Sequence, residues 1–210
     1  MLYWKTGNLL LRCLYPSRKW KVPGKEKKIY LTFDDGPHPV ITPFVLDLLK
    51  QYHAHATFFC IGKNVQQFPD VYSRMLREGH AAGNHTMHHV NGWKTADDAY
   101  VNDVKAAGEL IDSNLFRPPY GRMTSFQSAL LRKIGYTPVM WSVLSGDFDI
   151  HLTPEACWRT VEKNTSRGSI VLFHDSEKAW DRLAFALPRF LEKFQREQYE
   201  FLPLETVSLV

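Results

Sequence analysis

The chain has 210 residues, of which 44% are hydrophobic and 23% charged, the balance of one soluble globular domain and not of an intrinsically disordered chain. The formal charge of +4 permits an anionic neighbour without demanding one, and no nucleic-acid-binding motif accompanies it. Three well-separated cysteines, Cys13, Cys60 and Cys157, form no CxxC pair, which excludes a cysteine zinc cluster or redox motif and leaves buried thiols as the expectation.

In chain order, the first feature is the apolar patch Leu9-Leu10-Leu11, cut by Arg12. It is too short to span a bilayer and lacks a small-residue cleavage site, so it reads as part of the fold, with no transmembrane segment and the cytoplasm as default location. Arg18, Lys19, Lys21, Lys25, Lys27 and Lys28 face only Glu26 and read as a solvated basic leader. Residues 1–27 are thus expected to be an extension packed on a domain spanning 28–210.

Ile29 to Phe33 reads as a buried strand ending in Asp34-Asp35. Thr42 with Pro43 gives a cap-then-proline helix start, followed by Val45, Leu48, Leu49 and Tyr52 at helical spacing. Ala56 to Ile61 is the next strand. A helix through Val71, Met75 and Leu76 stops at Gly79, and a short strand near Ala81 leads into Asn84-His85. Thr95 with Asp98 suggests a capping box for a helix to about Ile111. Leu115-Phe116 is a strand before Arg117-Pro118-Pro119-Tyr120-Gly121. Phe126, Leu130, Leu131 and Ile134 mark another helix, Tyr136 to Leu144 a strand, and Thr153-Pro154 a helix start. Ser169 to Phe173 is a buried strand ending at His174. Leu183, Leu187, Leu191 and Phe194 form a last helical stripe, with a kink or restart expected at Pro188, and a strand near Phe201 follows.

About seven βα units imply an α/β fold with a parallel sheet. The first strand is not followed by GxGxxG, which argues against dinucleotide binding. Polar residues at several strand ends favour a barrel, whose site gathers at the C-terminal ends of different strands. Those ends supply Asp34, Asp35, His85, His89, Arg117, Tyr120, Asp147 and His174. Asp35, His85 and His89 have the make-up of a two-histidine, one-carboxylate metal site, and three protein ligands leave positions open for water or substrate. The four-residue spacing of His85 and His89 would bring both rings to one side of a helical turn, with His88 out of register. Asp34 and Asp35, as neighbours at a strand end, point different ways and could divide the work of base and ligand. The same Asp-Asp-Gly-Pro sequence is also ordinary turn chemistry.

Taken together, the segments resemble the polysaccharide deacetylases of carbohydrate esterase family four, the NodB-homology group. The motifs are Thr32-Phe33-Asp34-Asp35-Gly36-Pro37, His85-Thr86-Met87-His88-His89, Arg117-Pro118-Pro119-Tyr120-Gly121, the Asp147 segment, and Leu172-Phe173-His174. They occur in the family's order, and the resemblance spans about residues 28 to 204. It implies a distorted (β/α) barrel and a metal-dependent hydrolase that removes acetyl groups from N-acetylglucosamine-containing glycans of chitin-oligosaccharide or peptidoglycan type. By resemblance, Asp34 is the catalytic base, while Asp35, His85 and His89 hold a divalent metal, usually zinc, with cobalt or nickel as substitutes. Arg117 would position and ionise Asp34, Asp147 would tune His174 as general acid, Leu172 would line the acetyl slot and the Tyr120 amide would bind the oxyanion. Two departures stand out: Leu144 occupies the first Asp position of the family's Asp-x-x-Asp-Trp motif, and Phe148 the Trp position on the groove wall. Trp93 and Trp180 could stack on sugar rings or simply pack. O-deacetylation, as of acetylated xylan, is the alternative activity. A non-catalytic carbohydrate-binding module would require a broken set of residues.

Overall fold

A computed structural model describes residues 15–204. The Leu9–Leu11 patch, Arg12 and Cys13 lie outside the described residues. The strands are β1 (Lys28–Asp34), β2 (Ala56–Cys60), β3 (Ala81–Asn84), β4 (Leu115–Phe116), β5 (Thr137–Pro138), β6 (Val143–Leu144), β7 (Ile170–His174) and β8 (Glu200–Phe201). The helices are α1 (Ile41–Gln51), α2 (Gly62–Gln67), α3 (Pro69–Arg77), α4 (Asp97–Gly108), α5 (Ser125–Lys133), α6 (Pro154–Asn164) and α7 (Trp180–Arg196). The sheet runs β5-β4-β3-β2-β1-β7-β6, with β8 joining the first residues of β1. All the named pairings are parallel, as helical crossovers require.

The sheet curls into a half-barrel. Among the described residues β5 and β6 are not paired, and the segment around Lys19–Lys21 reaches both sides of that seam. Lys19 bridges Val139 and Lys21 bridges Ser169. The Val22 amide donates to the Gly168 carbonyl at 2.9 Å. Gly168 sits at φ 71, and a Cβ there would stand 1.9 Å from the Val22 oxygen, so the approach requires glycine. The basic stretch is therefore not a solvated leader throughout: Arg18, Trp20 and Val22 are buried, and only the part around Lys25–Lys27 is exposed.

Strand alternation separates two interiors. Ile29, Leu31 and Phe33 of β1, with Val171 and Phe173 of β7, face a core completed by Val45, Leu46 and Leu49 of α1 and Leu183, Leu187 and Phe190 of α7. The opposite face carries Tyr30, Phe59, Leu115, Val139 and Ile170, plugged by Val22 and Leu204. Above this plug the same face holds Thr32, Asp34, Leu172 and His174, since each follows the last by the two-residue strand period. Cys60 and Cys157 are buried.

Several expected local features differ. Thr42 lies inside α1, whose N-cap is Val40 without a side-chain cap bond. Thr95 and Asp98 form no capping box, as Ala96 is the N-cap of α4. Tyr136–Leu144 is interrupted into β5 and β6, and α7 runs unbroken through Pro188. Of the expected apolar positions of α5, Leu131 is buried but Phe126 and Ile134 are exposed, and Gln127 and Ser128 are buried beside Leu131. No helix among the described residues is long and apolar enough to cross a membrane.

Candidate active site

Sheet register assembles the site. Asp34 and His174 are direct partners across β1 and β7, and Asn84 is the partner of Phe116 across β3 and β4. The residues that follow those two, His85 and Arg117, therefore leave the sheet side by side. The His85 Nδ1 lies 2.7 Å from the Arg117 carbonyl oxygen. A carbonyl only accepts, so Nδ1 carries the proton and Nε2 is left with a free lone pair facing the carboxylates.

Asp35, His85 and His89 each offer a ligand atom, and these atoms lie within 4.8 Å of one another. Asp35 Oδ1 is 3.2 Å from His89 Nε2 and 3.6 Å from His85 Nε2. Ligands on a tetrahedral ion with bonds of about 2.0–2.1 Å stand about 3.3 Å apart, so the two distances from Asp35 are close to those around one small divalent ion. Burial keeps His85 uncharged by pushing its pKa down to about 4, the form a metal requires. Burial alone would raise the Asp35 carboxyl, but the hydrogen bond from His89 and the nearby histidine charges hold it well below the carboxylate range. The two histidines converge through a loop, not the expected helical turn: Thr86 and His89 both have left-handed backbones, at φ 65 and 55. His88 points away and pairs with Asp103 at 2.6 Å.

Arg117 is fully buried. Its Nη1 donates to Asp34 Oδ1 at 2.7 Å and to Thr32 Oγ1 at 2.8 Å, and its Nη2 to the Met140 carbonyl at 2.8 Å. The Phe59 ring centroid is 4.0 Å from the guanidinium carbon. The other Asp34 oxygen, Oδ2, is 3.8 Å from His85 Nε2, so the carboxylate borders the metal-type cluster.

The Asp147 carboxylate grips His174 twice, accepting from its backbone N–H at 2.7 Å and from Nδ1 at 2.7 Å. Burial works against the imidazolium, but Asp147, with Asp35 and Asp34 beyond it, outweighs that effect and pushes the pKa up to about 9. Arg182 of α7 in turn donates to the Asp147 carbonyl at 2.6 Å.

Asp175 was not among the expected residues. It is buried, accepts the Gly36 N–H at 3.0 Å and the Thr42 hydroxyl, and so ties the Asp35–Gly36 turn to α1. Burial pushes its carboxyl up to about 8, against the hydrogen bonds it accepts. A Cβ on Gly36 would stand 2.1 Å from Asp175 Oδ2, which makes glycine necessary in this turn. The only sequence signal is an acidic residue immediately after His174, while Thr42-Pro43 reads more simply as a helix start. Asn64 adds a second tie, donating to the Asp35 carbonyl at 2.7 Å.

The remaining expected residues are spread around this cluster. The Tyr120 ring lies 4.6 Å from the His89 ring, on a backbone at φ 60. Phe148 meets His174 edge-on at 5.2 Å. Leu172 is buried between Thr32 and Leu144, its register partners. Trp93 is 61% exposed, donates its indole N–H to the Met123 carbonyl at 3.3 Å, and has the Arg122 guanidinium 5.0 Å from its ring. Trp180 packs on Phe44 at 5.0 Å.

A sheet of this topology, with a three-ligand cluster flanked by an Arg-paired carboxylate and an Asp-paired imidazole, has the parts of a hydrolytic centre. The family model for polysaccharide deacetylase matches residues 21–139. A peptidoglycan-N-acetylglucosamine deacetylase of Bacillus cereus is 38% identical over 189 residues, covering 87% of this chain and 89% of its own length. A chitooligosaccharide deacetylase of Azorhizobium caulinodans is 34% identical over 162 residues, covering 74% of this chain and 77% of its own. The solved Bc1960 peptidoglycan N-acetylglucosamine deacetylase superposes with a TM-score of 0.84 at 30% identity, covering 90% of this chain and 91% of that one. The chain belongs to the polysaccharide deacetylase family, hydrolases of carbon–nitrogen bonds with the NodB-homology, distorted (β/α) barrel fold.

Proposed function

We propose that this chain removes acetyl groups from N-acetylglucosamine units of a glycan, with zinc as the resident metal on Asp35, His85 and His89. The observation that carries the reading is the register pairing of Asp34 with His174, each held by its own buried partner, beside that cluster. Peptidoglycan is the preferred glycan class, supported by likeness over most of both chains to the Bacillus cereus enzyme.

A divalent ion held there would acidify water and polarise the amide carbonyl. Asp34, fixed by Arg117, takes the proton of the attacking water. The Tyr120 amide donates to the developing oxyanion, and Leu172 borders the acetyl methyl. His174, charged at neutral pH beside Asp147, donates its Nε2 proton to the departing amine, which leaves poorly as an anion. Trp93 serves as a stacking platform for a neighbouring sugar.

The test is acetate release from N-acetylglucosamine oligomers and peptidoglycan fragments by metal-stripped protein, with and without zinc. Release restored by zinc is expected. Silence with zinc bound, or release from acetylated xylan alone, rejects the reading. Asp34→Asn is expected to keep zinc and lower kcat by about 10²–10⁴-fold, whereas loss of zinc in that variant would mean the two aspartates are exchanged. Trp93→Ala should raise KM on oligomers with little change in kcat.

A further inference from the structure

A small pocket lies between the Tyr15–Arg18 segment and the outer side of α5, built from none of the residues discussed above as catalytic. Ser17, Arg18, Ser125, Ser128 and Arg132 line it beside Tyr15, and its lining among the described residues contains no Asp or Glu. Arg18 is 5% exposed. Its guanidinium lies 4.0 Å from the Tyr15 ring centroid, and its Nη2 donates to the Met123 carbonyl at 3.1 Å. Its Nε has no partner among the described residues, and neither has the hydroxyl of Ser128, which is 4% exposed.

A buried guanidinium is ordinarily matched by a carboxylate. Among the described residues the groups that act on Arg18 are Tyr15 and Tyr100, with burial pushing its pKa down. Residues 1–14 contain no Asp or Glu, so the segment leading into Tyr15 brings no carboxylate side chain. Two arginines and three serines thus gather around one recess, with no side chain of opposite charge among its described residues. Such a set suits a ligand with several acceptor oxygens and a net negative charge.

We propose that this pocket is a binding site for a phosphate-type oxyanion, with Arg18 and Ser128 as its buried floor and Arg132 at its rim. Met123 links the floor to the sugar-facing loops, because its carbonyl also accepts the Trp93 indole N–H. An occupied pocket would therefore brace the loop that carries Tyr120 and Arg122.

The experiment is thermal unfolding of the full chain at pH 7 in increasing inorganic phosphate, against sodium chloride and sodium acetate of equal ionic strength. A saturable rise in Tm of about 2–5 °C in phosphate alone is expected, as for a ligand that binds only the folded state. Glycerol phosphate, run in parallel, separates the two sources of the group: a rise with both means that the site accepts phosphate carried on a larger molecule. A rise with inorganic phosphate alone restricts it to the free ion. The Ser128→Ala/Arg132→Ala variant is expected to lose the shift, and Arg132→Ala, altered only at the exposed rim, to weaken the half-saturating concentration several-fold. No rise in either phosphate, an equal rise in chloride or acetate, or an unchanged response in Arg132→Ala and the double variant overturns the proposal.

Discussion

Arg117 shows how much of the site depends on one side chain. It has no solvent exposure and spends its donors on Asp34, Thr32 and two carbonyls. Arg117→Leu removes the partner and leaves the Asp34 carboxylate buried beside an apolar group, so a loss of about 3–5 kcal/mol is expected in chemical denaturation. His174 makes a prediction about pH. Its pKa, pushed up to about 9 by Asp147 against burial, means that the imidazolium we propose as proton donor is present at neutral pH and is lost as pH rises through about 9. An alkaline limb in kcat near that value is expected, moving towards neutrality in Asp147→Asn. The folded-state pKa is raised above the ordinary 6.5, so the pair's contribution to stability is complete below 6.5 and disappears through the same alkaline window. These residues were legible because motifs at strand ends name them. Asp175 was not, because its work is to hold the Asp35–Gly36 turn, and a lone acid after a histidine has no spacing signature.

At the scale of elements, α5 carries more than its propensity suggests. Thr124 and Gln127 form a reciprocal capping box, and the Gln127 amide also donates to the Gly92 and Thr95 carbonyls at 2.8 and 3.2 Å. The helix start and the turn bearing Trp93 are thus one hydrogen-bonded unit. Thr124→Ala should cost about 1 kcal/mol, the usual value of a cap. Gln127→Ala should cost more, about 2–3 kcal/mol, because the buried Gly92 carbonyl and the half-buried Thr95 carbonyl lose their donor; urea midpoints of both variants compare the two. The sequence pattern of Phe126, Leu130, Leu131 and Ile134 matched the buried face only in part, since Leu131 is buried while Phe126 and Ile134 are exposed. Apolar periodicity gives the existence of a helix and misjudges its face when the buried position is a polar residue satisfied by long-range bonds. The same limit explains the 85–89 loop. A four-residue spacing fits a helix, but the actual convergence comes from two left-handed residues that no hydrophobic pattern encodes.

The molecule as a whole carries an acid weakness. His80 and His85 are both buried and have pKa values pushed down to about 4, by burial first. Both lie below the ordinary 6.5, so each supports the fold above that pH and withdraws its support as pH falls towards 4. The metal-free protein should therefore lose Tm between pH 6.5 and 4. The fall should be less steep than two histidines alone would give, because Asp175, its carboxyl pushed up to about 8, gains support over the same range. His80→Asn, which retains an acceptor for the Ala56 N–H, should flatten that fall. The barrel itself was legible from the alternation of strands and helices and the polar strand ends. The unpaired seam and its bridging by Lys19 and Lys21 were not, because single β-bridges leave no periodic trace.

The place of β1 between β2 and β7 also has a temporal side. Thr32 and its hydrogen-bond partner Val171 are 139 residues apart. On the ribosome, β1 emerges long before the strand that covers its second edge, and through that interval Tyr30, Leu31 and Phe33 flank an open ladder. A growing chain in that condition is a template for pairing with another copy of itself. The order in which this protein is made thus exposes its central strand first and protects it near the end.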